Sequence, residues 1–114
     1  MRAGQMKHRV QFLRGQMSDD GLQNAIVWGD PANDAVGPKL WAKRTPISDA
    51  EKWRAGQVSA NITARFVVYW SALTSSITPK DRLVCNGTVY DIMGIKDVED
   101  DKMWLEFTTS ARIS

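Results

Sequence analysis

Thirteen consecutive residues alternate between two chemical kinds. Val58, Ala60, Ile62, Ala64, Phe66, Val68 and Trp70 are separated by Ser59, Asn61, Thr63, Arg65, Val67 and Tyr69. A period of two is the signature of a half-buried strand, because successive side chains of extended backbone point to opposite faces. The pattern therefore predicts a long, bent strand with one face toward a core and Trp70 in that core. It also commits the chain to a sheet large enough to supply the other side of the core.

The remaining segments supply such a sheet. His8–Arg14 places Val10 and Phe12 on one side of a first strand, with Arg9, Gln11 and Leu13 on the other. Residues 39–45 read as a second strand, ended by Pro46. Arg82–Cys85 and Thr88–Ile95 flank Asn86-Gly87, two residues that accept the positive φ of a type I′ hairpin turn. Lys96–Lys102 reads as an acidic turn, and Met103–Thr109 closes the set. Residues 71–76 read as turn material. Ser48-Asp49-Ala50-Glu51 has the spacing of a capping box and predicts one short helix over about 48–56, stopped by Gly56, with Trp53 docking it on the sheet.

The segment from about 15 to 37 is rich in Gly, Asp, Asn and Pro and breaks every period, so it reads as a long flexible loop with room for a short strand or extended piece at 23–28. With 114 residues, one domain over 1–114 is expected. The fold class is mainly β, with five to six strands and one short helix. Closure into a small antiparallel barrel would remove the sheet edges, and an open sandwich is the alternative.

Few residues offer chemistry. The single cysteine, Cys85, forbids an internal disulfide and a cysteine-based metal cluster, and its apolar neighbours Leu83 and Val84 make it a small core residue. The single histidine, His8, has no nucleophile elbow or cysteine near it, so it reads as a surface or interface residue. Asp97, Glu99, Asp100 and Asp101 lack the glycine and terminal glutamate of a calcium loop and read as a solvated hairpin tip. No glycine-rich phosphate loop is present. The expectation is a non-enzymatic protein without metal or cofactor. The first ten residues are polar and basic, and no apolar run reaches the length of a membrane span, so a soluble protein that stays where it is made is expected.

Charge order says more than the net charge of +2. Arg2, Lys7, Arg9 and Arg14 occupy residues 1–14 without an acid, and Asp19, Asp20, Asp30 and Asp34 occupy residues 15–38 without a base. This arrangement is either ordinary solvated surface or a self-complementary pair of surfaces, the loop of one subunit meeting the basic edge of its neighbour. Five tryptophans add a second interface signal. Trp28 stands in the loop, and Trp41 and Trp104 alternate out of phase with Leu40 and with Leu105 and Phe107, so both belong under the helix or on a surface buried by assembly. The candidate subunit or partner interface is therefore Arg9, Arg14, Asp19, Asp20, Trp28, Asp30, Asp34 and Trp41. Tyr69, Trp70 and Arg65 on one strand also fit a barrel that stacks single-stranded nucleic acid.

The order of motifs resembles the phage head–tail joining family, which includes the head-completion or stopper proteins of long-tailed phages. The resemblance is carried by Ala3-Gly4-Gln5-Met6-Lys7-His8-Arg9-Val10, Leu40-Trp41-Ala42-Lys43, the helix start with Glu51, Thr63-Ala64-Arg65-Phe66, Pro79-Lys80-Asp81-Arg82-Leu83, Asn86-Gly87-Thr88-Val89-Tyr90-Asp91-Ile92 and Leu105-Glu106-Phe107. It departs at Arg65–Trp70, where members often have a shorter arginine–tyrosine turn. The resemblance implies a small β-barrel with a side helix and a long loop. It further implies a virion protein made in the bacterial cytoplasm, a homo-oligomeric ring, sixfold or twelvefold, below the portal and adaptor. Such a ring closes the channel of packaged double-stranded DNA, which it lies near without specific contact, and receives the tail. The 15–37 loop then serves as gate or inter-subunit contact. A tail-completion or terminator protein is the alternative placement within the same particle.

Overall fold

A computed structural model describes residues 6–19, 24–29, 34–47, 63–98 and 103–112. The strands are β1 (His8–Leu13), β2 (Gln16–Asp19), β3 (Asn24–Val27), β4 (Ala35–Pro46), β5 (Ala64–Tyr69), β6 (Arg82–Cys85), β7 (Thr88–Val98) and β8 (Trp104–Ala111). One helical turn, α1 (Ala72–Ser75), lies between β5 and β6. Six strands close an antiparallel barrel in the order β1-β4-β5-β8-β7-β6, with β6 returning to β1. Closure leaves no free lateral edge along the paired part of the sheet.

The alternating strands put one residue in two into the barrel. Val10 and Phe12 from β1, Ala42 from β4, Ala64, Phe66 and Val68 from β5, Leu83 and Cys85 from β6, Tyr90 and Ile92 from β7, and Leu105 and Phe107 from β8 form one buried cluster. Phe12 and Phe107 meet with ring centroids 5.0 Å apart, and Phe66 meets Tyr90 edge-on at 5.1 Å. Both separations are those at which aromatic pairs attract.

The β6–β7 hairpin forms as its sequence dictates. Asn86 and Gly87 adopt φ of 51° and 79°, and Cys85 pairs with Thr88 across them. The structure differs from the sequence reading at four places. The supposed long loop contains a hairpin, with Gln16 paired to Val27 and Asp19 to Asn24, and β4 begins already at Ala35. Trp70 is 43% exposed rather than in the core, because β5 ends at Tyr69 and the next residue, Ser71, caps α1. The 71–76 turn is that helix: the Ser71 hydroxyl accepts from the Thr74 N–H at 3.1 Å, and the Ser71 N–H donates to the Thr74 hydroxyl at 2.8 Å. This reciprocal pair is a capping box. The turn expected at 96–102 begins later, because Lys96, Asp97 and Val98 belong to β7 and pair with Glu106, Leu105 and Trp104. Residues 99–102, the helix expected over about 48–56 and the 58–62 part of the long alternating strand lie outside the described residues.

Cys85 is buried in the barrel cluster, and desolvation pushes its thiol pKa up. The folded chain therefore keeps its proton at a pH where the unfolded chain, with a thiol near ~8.5, releases it. The unfolded state then binds fewer protons than the native one, so stability present below that pH falls as pH rises through it. Cys85→Ala is expected to abolish this component of the alkaline loss. Urea unfolding of both proteins between about pH 7 and 10 checks it, and parallel pH profiles would contradict it.

Candidate interaction surface

The outward-facing residues near one end of the barrel form a row that only the register reveals. On β1 and β4, Arg9 is the cross-strand partner of Trp41. On β5 and β8, Tyr69 is the partner of Trp104, and on β8 and β7, Trp104 is the partner of Val98. Each lies opposite in phase to a core residue, Val10, Ala42, Val68 and Leu105 in turn, so each points outward.

The row is sequestered at one end and open at the other. Trp104 is 6% exposed, since Met6 and Val67 bury it in a second cluster with Val98 packed alongside. Tyr69 stacks on it with centroids 4.3 Å apart and an interplanar angle of 28°. Tyr69 itself is 48% exposed and Trp41 51% exposed. The Arg9 guanidinium lies 4.5 Å from the Trp41 ring centroid, a cation–π contact worth about 0.5–1 kcal/mol at an exposed site. Trp70 and Met103 are exposed beyond the end of the row, joined by the Trp70 N–H donating to the Met103 carbonyl at 2.9 Å.

Between Trp41 and Tyr69 the barrel wall opens. The β4–β5 ladder runs from Pro46 with Ala64 to Lys43 with Val67 and goes no further. Past that point β4 stays with β1, as Val10 pairs with Leu40, while β5 stays with β8, as Val68 pairs with Leu105. The gap is a cavity of about 250 Å³ lined by Lys39, Leu40, Trp41, Val68, Tyr69, Ser71 and Thr74. α1 closes one end of it. The Thr74 hydroxyl donates to the Tyr69 carbonyl at 2.9 Å, and Leu73 packs so close to Gly37 that a Cβ there would stand 2.5 Å from it. Gly37 also has φ of 71°, a conformation that L side chains rarely adopt, so a larger residue there is strained and would displace the Leu73 side chain. A second, more polar cavity of about 180 Å³ adjoins the first through Lys39 and is lined by Arg9, Gln11, Lys39, Val84, Asn86 and Gly87.

The other candidate residues are held within the chain. The Arg14 guanidinium donates to both oxygens of buried Asp81, at 3.1 and 3.2 Å, and to the Ser76 carbonyl at 3.3 Å. Its hydrogen bond to Asp81 raises the Arg14 pKa against a smaller opposing effect of burial. Trp28 is half-buried, with the Arg82 guanidinium 3.9 Å from its ring centroid, and Arg82 in turn donates to Asp91 at 3.2 Å. Asp34 is buried: its carboxylate accepts from the Gly29 N–H at 2.7 Å, and its carbonyl accepts from the Arg14 N–H at 2.9 Å. The backbone of Asp19 ends β2, and Asp20 and Asp30 lie outside the described residues. His8 is half-buried opposite Ala42. Thus the structure brings Arg9 to Trp41 and Arg14 to the backbone of Asp34, and it anchors Trp28 on the barrel.

Sequence reasoning missed Lys39 and Met103, and it named Tyr69 only as a base-stacking candidate and not as part of the subunit or partner interface. Its place on the outer face was legible in principle, since it is out of phase with Val68 and stands two residues before the serine that caps α1. Among the described residues, no three His, Cys, Asp or Glu side chains converge as a metal ion would require.

The sequence pattern of the phage head completion protein family matches residues 1–112. Among solved structures the chain is similar to the solution structure of protein SF1141 from Shigella flexneri 2a. The TM-score is 0.68 and the identity 21%, over 97% of this chain and 96% of that one, a likeness of fold. No curated protein matches significantly.

Proposed function

Because the chain belongs to the phage head completion protein family, whose members are structural proteins of the virion, we propose that it forms a ring at the head–tail connector. The ring, sixfold or twelvefold, closes the DNA-filled head below the portal and adaptor and offers the tail its attachment surface. The match over residues 1–112 carries this reading. The outward row supports it: exposed Trp41 and Tyr69 beside Arg9 have the composition of protein-interface anchors. A head-to-tail ring needs two different complementary patches per subunit. The aromatic row with Arg9 and the hairpin-bearing segment 15–37 are assigned to those patches.

Electron cryo-microscopy of the particle carrying this protein tests the placement. Density for the barrel is expected at the portal–tail junction, and particles lacking the protein should be full heads that lose DNA and join no tail. Density on the tail side alone would turn the reading to a terminator, and its absence from the junction would overturn it. Arg9 over Trp41 is also a pairing that a single-strand-binding barrel uses, and that second reading requires micromolar, strongly salt-dependent affinity for single-stranded DNA; the connector reading expects none at low salt.

A further inference from the structure

We propose that the opening between β4 and β5 is a strand-addition site for an extended segment of a partner protein in which acidic and large apolar residues alternate. The backbone supplies the first reason. In an antiparallel strand, successive residues direct their N–H and C=O groups to opposite sides. Residues 40–42 of β4, which pair with Val10, Arg9 and His8, are therefore half committed to β1, and their other backbone groups face β5; Lys39 lies in the bulge just before them. Among the described residues, none of β5 pairs with them, since that ladder stops at Lys43 and Val67. The opening lies at the opposite end of this ladder from the Pro46–Ala64 pair, where the chain passes from β4 to β5. A stretch of barrel strand that lacks a partner on one side among the described residues is the feature that an added strand recognises.

The lining supplies the second reason and fixes the chemistry. A segment laid along β4 turns alternate side chains inward and outward. Inward ones meet Leu40 and Val68 at the floor of the 250 Å³ cavity, a space suited to one large apolar side chain. Outward ones meet cations: Lys39 lines both cavities, Arg9 lies over Trp41, and Lys43 follows on the same face of β4. Among the described residues, no acidic side chain lines either cavity. Charge complementarity thus selects carboxylates at the outward positions, and Trp41 and Tyr69 supply apolar walls beside them.

The inference goes beyond head closure and is tested on the isolated full-length chain, so a ring found elsewhere in the particle leaves it untouched. Random displayed peptides of about ten residues, the upper length of an ordinary strand, are selected on the immobilised protein. Enrichment of sequences alternating acids with large apolar residues is expected. A synthetic peptide of that consensus should shift the amide resonances of residues 39–42 and 68–69. Its affinity should fall at least about tenfold with Lys39→Glu and Arg9→Glu combined, and should weaken with salt. No enrichment, a consensus without acids, or shifts confined to other strands would overturn the proposal. Self-association of the chain that blocks the peptide would assign the face to a second copy instead. The shift map on the unmodified protein decides the matter even where the double variant does not fold.

Discussion

Phe107→Ala is expected to destabilise the barrel by about 3–5 kcal/mol, which is the cost of removing a fully buried phenylalanine from a packed core. Phe107 has no exposed surface, sits on β8 between its neighbours β5 and β7, and packs against Phe12 of β1 across the interior. Little can collapse into the space it leaves, because its cross-strand partners Phe66 and Ile95 are both held in continuous ladders. Against a typical stability of about 5–15 kcal/mol the loss is large, and for a chain of this size it lowers the melting temperature by roughly 12–20 °C. Urea unfolding followed by tryptophan fluorescence measures it. Met93→Ala on β7, at a side chain mostly in water, should stay within about 0.5 kcal/mol of the parent. A small loss at Phe107 would mean that the barrel is not the cooperative unit.

The alternation that made Phe107 and Phe66 identifiable from sequence is also the measure of what sequence can say here. Period two assigns Ala64, Phe66 and Val68 to the interior correctly, since each depends only on its own strand. Asn86-Gly87 is equally legible, its positive φ being a local property of two residues. Trp70 fails because alternation has no signal for where the strand stops; the stop is made by Ser71 and Thr74, a capping box using Thr in place of the usual Glu or Gln. Val67 and Trp104 are buried on what the period marks as the outer face, because Met6, far off in the sequence, packs over them. Of the β2–β3 hairpin only β3 falls within the short strand or extended piece expected at 23–28; β2 had no signal, because Gln16-Met17-Ser18-Asp19 carries no hydrophobic alternation. The candidate surface was half visible. Arg9 and Trp41 were singled out separately by charge and phase, but their pairing, and the opening between Trp41 and Tyr69, depend on cross-strand register.

Deleting residues 19–34 is expected to leave a cooperatively folding barrel and to abolish its role in closing heads. All six barrel strands survive the deletion, because β1 ends at Leu13 and β4 begins at Ala35. Those two residues are cross-strand partners, so residues 14–18 are left to join the ends of an existing pair, within the ordinary length of a hairpin loop. The deletion removes the Asp34 carbonyl that accepts from Arg14 and the Trp28 ring over Arg82. Arg14 keeps Asp81 and Arg82 keeps Asp91, so neither guanidinium loses its carboxylate partner. A loss of about 1–2 kcal/mol in stability follows from one hydrogen bond and one cation–π contact. In the proposed ring the same residues supply the second patch that a head-to-tail contact requires, so particles assembled with the shortened protein should retain neither DNA nor tails. Loss of the sharp unfolding transition would show instead that the hairpin segment belongs to the folding core, and wild-type infectivity would show that neither gate nor subunit contact resides there.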